Sequence, residues 1–197
     1  MPPERRPPTN PSTSVTARIP PLPRSDRWKQ SEQAARRTNE LVFFAHMQIA
    51  DAADRLLARH KLGRPHHRVL YFACRQPGIT VGELMGVLRI SNQALARTTN
   101  QLVALGLLEQ RYSLEDRRVR QNHATDRGLA LLNELAGQQL ATIRAAHATL
   151  TGDQIEGLWS SLAAIARAED LVWVTAHPVP DASTHSSVDP RHVQRNR

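Results

Sequence analysis

The chain of 197 residues has a single cysteine, Cys74, so no disulfide can close within it and no multi-cysteine zinc or iron–sulfur site can be assembled. Lysine is almost as scarce. Of the 26 basic residues all but Lys29 and Lys61 are arginine, and neither lysine follows a glycine. That excludes a phosphate loop of the Gly-Lys-Ser/Thr type. Aromatic residues make up 4% of the chain, and none lies in the basic, strand-forming run that stacks RNA bases. No apolar stretch approaches the roughly 18 residues of a membrane span. The opening Met-Pro-Pro-Glu-Arg-Arg-Pro-Pro has no apolar segment of the secretory kind. The expectation is a soluble, cytoplasmic chain with no membrane partner. The signatures G-x-S-x-G, H-E-x-x-H and G-x-G-x-x-G are missing as well. Nine histidines and 18 acids stand at no diagnostic spacing. An enzyme without a recognisable motif stays as a minor alternative, and no cofactor is called for.

What the chain does have is positive charge, 26 Lys and Arg against 18 Asp and Glu for a formal +8, which draws it towards nucleic acid or another anionic surface. Eight of the 13 prolines fall within residues 2–23. Such a stretch has little to bury and few backbone donors, so residues 1–30 are expected to be a disordered Pro/Arg-rich tail, and 176–197 a second one. The span 31–175 is then one domain, and a domain of that size buries about two thirds of its unfolded surface.

Helical periodicity dominates that span. Leu41, Phe44, Met47, Ala52, Leu56 and Leu57 mark one long helix between Ser31 and His60. Gly63 and Pro65 open the next, with Val69, Leu70, Phe72 and Ala73 on its apolar face, until Pro77-Gly78 breaks it. Thr80-Val-Gly-Glu83 is a capping box for a short helix carrying Val81, Leu84, Met85 and Leu88 inward. Arg89-Ile90 turn the chain, and Ser91 caps another helix that runs to Leu105 and is closed by Gly106. The period then changes. Leu107 to Ser113 and Val119 to Ala124 suit two strands around the loop 114–118. Thr125 caps a helix reaching about His147, and Thr151-Gly-Asp-Gln154 is a second capping box opening a final helix with Ile155, Leu158, Trp159, Leu162 and Ile165 on one side.

Two short helices joined by a tight turn, the second followed by a basic hairpin, describe a winged helix-turn-helix: a mainly α fold with a small β-hairpin wing, flanked by further helices. A recognition helix fits the major groove, where base edges display a readable donor and acceptor pattern. On the helix from Ser91, Leu95, Thr99, Leu102 and Leu105 are expected to face the core, while Asn92, Gln93, Arg97 and Asn100 face outward. Amides and a guanidinium are the groups that bond adenine and guanine bidentately. Residues 89–127 hold seven arginines and four acids, a net +3, with Arg117, Arg118 and Arg120 crowding the wing. An arginine at a loop tip can enter a narrow minor groove. Asp116, costly beside phosphate, is expected to pair with an arginine and fix the loop.

These residues resemble the MarR family of bacterial transcription regulators. The resemblance is carried by Ile-Thr-Val-Gly-Glu-Leu at 79–84, Ile-Ser at 90–91, Leu-Val-Ala-Leu-Gly-Leu-Leu-Glu-Gln-Arg at 102–111, and most specifically by Asp-Arg-Arg at 116–118 followed by Thr125-Asp-Arg-Gly128. Ala124 stands where the family usually has leucine. The resemblance implies a winged helix-turn-helix over about 66–125, with dimerisation helices at about 31–60 and 126–175. It also implies an obligate homodimer meeting successive major grooves of a pseudo-palindromic operator in double-stranded DNA. Arg118 would be the minor-groove arginine and Asp116 its fixing partner, with Ser91, Asn92, Gln93 and Arg97 in or at the major groove. Phe43, Phe44, Leu158, Trp159 and Trp173 are interface candidates, since the first and last helices carry more large apolar residues than a small core can cover.

The resemblance further implies a small aromatic or anionic effector between the dimer helices and the DNA-binding lobe. His60, Arg64, His66, His67, Arg68 and Tyr71 could receive one, with His60, Arg64, His67 and Tyr71 the named candidates. His66-His67 lack a third metal ligand nearby, and Cys74, late in an apolar helix, reads as a buried and inert thiol. A non-specific architectural DNA-binding protein is the principal alternative.

Overall fold

The computed structural model describes residues 31–175, so the expected tails lie outside the described residues. The described order is α1 (Glu32–Arg59), α2 (Arg64–Arg75), β1 (Ile79–Thr80), α3 (Val81–Leu88), α4 (Asn92–Ala104), β2 (Leu108–Tyr112), β3 (Arg120–Ala124), α5 (Asp126–His147), α6 (Gly152–Ile165) and α7 (Ala168–Thr175). The described residues divide into two units, 31–43 and 44–175. In the first, α1 begins with an exposed Glu32–Arg36 pair at 2.5 Å and one buried residue, Ala34.

Local signals set most element starts. Thr80 Oγ1 accepts from the Glu83 amide at 3.2 Å and Glu83 Oε2 accepts from the Thr80 amide at 2.7 Å, which closes the box at the start of α3. These bonds hold the Glu83 carboxyl below its ordinary range, the backbone bond first. Ser91 caps α4 by accepting from the Ala94 amide, and Thr151 and Gln154 cap each other at α6. The α3–α4 turn passes through Arg89 at φ +54°, a left-handed residue that ends α3.

Three corrections concern packing. Leu105, expected in the core, is exposed: α4 stops at Ala104, Gly106 at φ +65° redirects the chain, and Leu107 is buried instead. The wing is not a lone hairpin, because Ile79–Thr80 pairs antiparallel with β3, giving the sheet order β1-β3-β2. The final helix is followed by a separate α7, whose Trp173 ring meets Phe72 edge-on at 4.7 Å. Trp173 thus takes part in its own chain's packing. The core gathers Leu56, Leu57, Val69, Leu70, Ala73, Leu84, Leu95, Leu102, Leu107, Leu108, Leu132 and Leu135 around α2. In contrast, α6 buries nothing: Leu158, Trp159, Leu162 and Ile165 are all exposed, the last at 65%.

Candidate nucleic-acid interface

The recognition helix and wing are locked together before any ligand arrives. At the far end of α4, Thr125 Oγ1 donates to the Gly106 carbonyl at 2.7 Å and accepts from the Gly128 amide at 3.1 Å, so one hydroxyl ties the exit of α4 to the entrance of α5. Gly128 fits only as glycine, because a Cβ there would lie 2.1 Å from the Leu107 carbonyl oxygen. This is the physical need behind the Thr-x-x-Gly spacing read from the sequence.

Within the sheet, Asn122 has 0% exposure. Its Nδ2 donates to the Ile79 carbonyl at 2.9 Å and its Oδ1 accepts from Gln110 Nε2 at 2.9 Å, so one buried amide holds all three strands. The strand register places Gln110 opposite Asn122 and Tyr112 opposite Arg120.

The wing loop is bonded to itself. Ser113 Oγ accepts from the amides of Glu115 and Asp116 at 3.2 and 3.4 Å, and the Val119 amide donates to the Asp116 carbonyl at 2.9 Å. Asp116 Oδ1 accepts from the backbone amide of Arg118 at 2.8 Å. The expected arginine pairing is therefore corrected: Asp116 fixes the loop through the main chain and leaves the Arg118 guanidinium outside the bond.

That leaves a division among the arginines. Arg36, Arg64, Arg89, Arg111 and Arg167 each contact a carboxylate. Among the described residues Arg97, Arg117, Arg118 and Arg120 contact none, and all four are exposed. Exposed Arg55, Arg59, Arg68, Arg127 and Arg144 contact none either; what sets the wing apart is that Arg118 and Arg120 face α4 across a cleft. Asn92 and Asn100, with Ala96 between them, line a cleft of about 350 Å³ whose other wall is Arg118, Arg120 and Gln110. Gln93 and Arg97 lie one residue further round α4, exposed but outside the cleft. Ser91 is exposed too, although its hydroxyl is engaged as the cap. Sequence reasoning missed Gln110, Asn122 and Tyr112. The signal was their alternation along β2 and β3, which puts Gln110 and Tyr112 on one face.

The effector candidates do not converge. Arg64 is held by Asp54 at 2.6 Å, tying the end of α1 to the start of α2. His66 Nδ1 accepts from the Gly63 amide at 3.1 Å as a cap, and its Nε2 lies 2.9 Å from Gln101. His60 is exposed in the turn after α1, and burial pushes the half-buried His67 below its ordinary pKa. Tyr71 and Arg68 alone of the set share a cleft, about 480 Å³, with Phe72, Arg89, Asp170 and Trp173. Arg89 there is held by Asp170 at 3.1 Å and Glu169 at 3.3 Å. Cys74 is 6% exposed, and burial raises its thiol to about 12. Among the described residues there is no group of three metal-ligating side chains and no helix long and apolar enough to cross a membrane.

Comparison with known proteins bears on this arrangement. The MarR family profile matches residues 60–119. The HTH-type transcriptional regulator PetP of Rhodobacter capsulatus is 35% identical over 135 residues, which cover 68% of this chain and 81% of PetP. Among solved structures, the MarR family transcription regulator SP03579 superposes with a TM-score of 0.58 at 20% identity, covering 73% of this chain and 92% of its own. A mutant of MarR from E. coli complexed with operator DNA superposes with a TM-score of 0.53 at 21% identity, over 73% of this chain and 100% of its own. These two structural likenesses are likenesses of fold.

Proposed function

The chain belongs to the MarR family of transcription regulators, and from that premise we propose that it binds a pseudo-palindromic operator in double-stranded DNA as a homodimer modulated by a small effector. It is a helix-turn-helix regulator and not an enzyme. One observation carries the operator reading: α4 and the wing each present exposed arginines without a carboxylate, Arg97 on the first and Arg117, Arg118 and Arg120 on the second, and a shared cleft joins the two elements. Phosphates fill such a cleft and position the chain, and base edges then select the sequence. Asn92, Gln93, Arg97 and Asn100 read the major groove, with Ser91 at its edge. Arg118 enters the minor groove, Arg117 and Arg120 meet its phosphates, and Asp116 holds the loop. A chain that works on chromosomal operators acts in the cytoplasm.

The dimer reading rests on α6. A helix of 14 residues with no buried side chain and four large exposed apolar ones needs a covering surface, and a second copy supplies it by symmetry. The effector reading rests on the cleft of Arg68, Tyr71 and Trp173, in which the Arg68 guanidinium and three aromatic rings suit an aromatic carboxylate or phenolate, Arg89 there being already paired with Asp170. Its test is Trp173 fluorescence during a benzoate titration, with Arg68→Ala as the control. Selection of bound duplexes from a random pool tests the main proposal. A two-fold sequence with half-sites about one helical turn apart supports it. Enrichment of no sequence at all would establish the architectural alternative.

A further inference from the structure

The arginines of the wing surround an apolar edge that the fold does not use. Leu114 is 102% exposed in the bend after β2, and Tyr112, the last residue of β2, is 59% exposed. A single exposed leucine is ordinary on a protein surface. This one differs in being held out by design of the backbone: the loop bonds made by Ser113, Asp116 and Val119 leave it no route inward. Its neighbours are two exposed acids, Glu115 and Asp116, and two arginines. Arg117 lines one shallow groove with Tyr112, Ser113 and Leu114, and the Arg120 guanidinium stands 5.6 Å from the Tyr112 ring. The result is a narrow apolar blade flanked by positive charge.

That combination matches the minor groove, about 6 Å wide, with apolar sugar walls and a strongly negative potential. We propose that Leu114 is a wedge that enters the minor groove and partly unstacks one base step per half-site, with Tyr112 against the sugar wall. The proposal rests on the reading of the wing as a DNA-binding element. It adds a residue that carries no charge and acts through DNA deformation. Side chains of this kind open a step and bend the duplex away from the groove they enter, and pyrimidine–purine steps open at least cost. The wedge therefore selects a TA or CA step at a position where no base edge is read. Glu115, exposed beside it, opposes any register that brings the tip against a phosphate, which keeps the blade centred over the groove.

The test uses the full chain and duplexes carrying the selected two-fold site, with 2-aminopurine placed in turn at each step beneath the wing. Wild type should raise the fluorescence at one step per half-site. Leu114→Ala should abolish that rise and weaken binding about tenfold with the salt slope unchanged, while Leu114→Met restores both. Because Leu114 touches nothing in the fold, its variants should keep the parent's circular dichroism and melting temperature. Arg118→Ala is measured alongside. If it flattens the salt slope while Leu114→Ala leaves the fluorescence rise and the affinity within twofold of wild type, the wedge is refuted and the DNA-binding wing stands. If neither variant changes binding, the DNA-binding wing falls and the wedge with it.

Discussion

Removing the amide of Asn122 should loosen the wing and destabilise the whole lobe. Asn122→Ala deletes two hydrogen bonds of 2.9 Å and leaves the Ile79 carbonyl without its side-chain donor and Gln110 Nε2 without its acceptor. A typical buried hydrogen bond contributes about 1 kcal/mol net, and an abandoned buried partner costs about 1–3 kcal/mol. Gln110 is half-buried and can turn to water, so most of the penalty falls on the Ile79 side. The sum is about 2–4 kcal/mol, or a fall in Tm on the order of 5–15 °C for a domain of this size. Gln110→Ala, which removes one bond and leaves Asn122 its bond to Ile79, should cost about 1 kcal/mol. Urea titration at fixed protomer concentration measures both, since a dimer's apparent stability depends on that concentration. The double variant should be less than additive, because Gln110 and Asn122 share a bond. An Asn122→Ala midpoint displaced by less than about 0.5 kcal/mol would show that the three strands hold together without the amide.

Other outcomes follow from the same geometry. Arg118→Ala should weaken binding to every duplex and lower the salt slope by about one counterion per site, whereas Arg97→Ala should cost about 1–3 kcal/mol per half-site and relax selectivity; operator and scrambled duplexes titrated across salt separate them. Asp116→Ala should be a milder Arg118 change, since its carboxylate holds only the Arg118 amide. Trp159→Glu with Ile165→Glu, both exposed on α6, should give a folded monomer in sedimentation that has lost operator binding; a dimer of normal affinity would refute the interface. Cys74, raised to about 12, should be thiolate to only about one part in ten thousand at pH 8, so an aromatic disulfide reagent should label the native chain far more slowly than the unfolded one. His67 is held below its ordinary 6.5 by burial, so its neutral form favours the fold. The stability it contributes is complete above 6.5 and declines as pH falls from there towards the lower folded value, a decline that His67→Gln should remove from the pH dependence of the urea midpoint.

What could be read from the sequence was what neighbours along the chain decide. The boxes Thr80–Glu83 and Thr151–Gln154, the caps Ser91 and Thr125, and the turn glycine Gly106 all act within four residues, and their pattern is their mechanism. What stayed hidden depends on residues far apart. Ile79–Thr80 is too short to look like a strand and becomes one only because β3 lies beside it. Asn122 looks like an ordinary polar strand residue, and its burial follows from the carbonyl it meets 43 positions away. The short α7 has little periodicity of its own, and Arg89, Arg75 and Phe72 hold it in place. Nearness in sequence brings the effector candidates together on paper, but it does not reveal that Asp54, ten positions away, holds Arg64.

The hydroxyl of Thr125 and the bare backbone of Gly128 make the joint between α4 and α5 stiff. Stiffness at that point turns α5 into a lever. Its 22 residues span about 33 Å. With the fulcrum clamped at Thr125, a tilt of about 5° at the recognition end sweeps the distal end through about 3 Å, and the relation runs equally in reverse. A displacement of a few ångströms among the distal residues of α5 therefore reaches α4 as a small, undiminished rotation. A bulkier residue at 128 would act as a slipped bearing: it would drive the Leu107 backbone and Leu70 aside, and the packing at the joint and the coupling through it would loosen together.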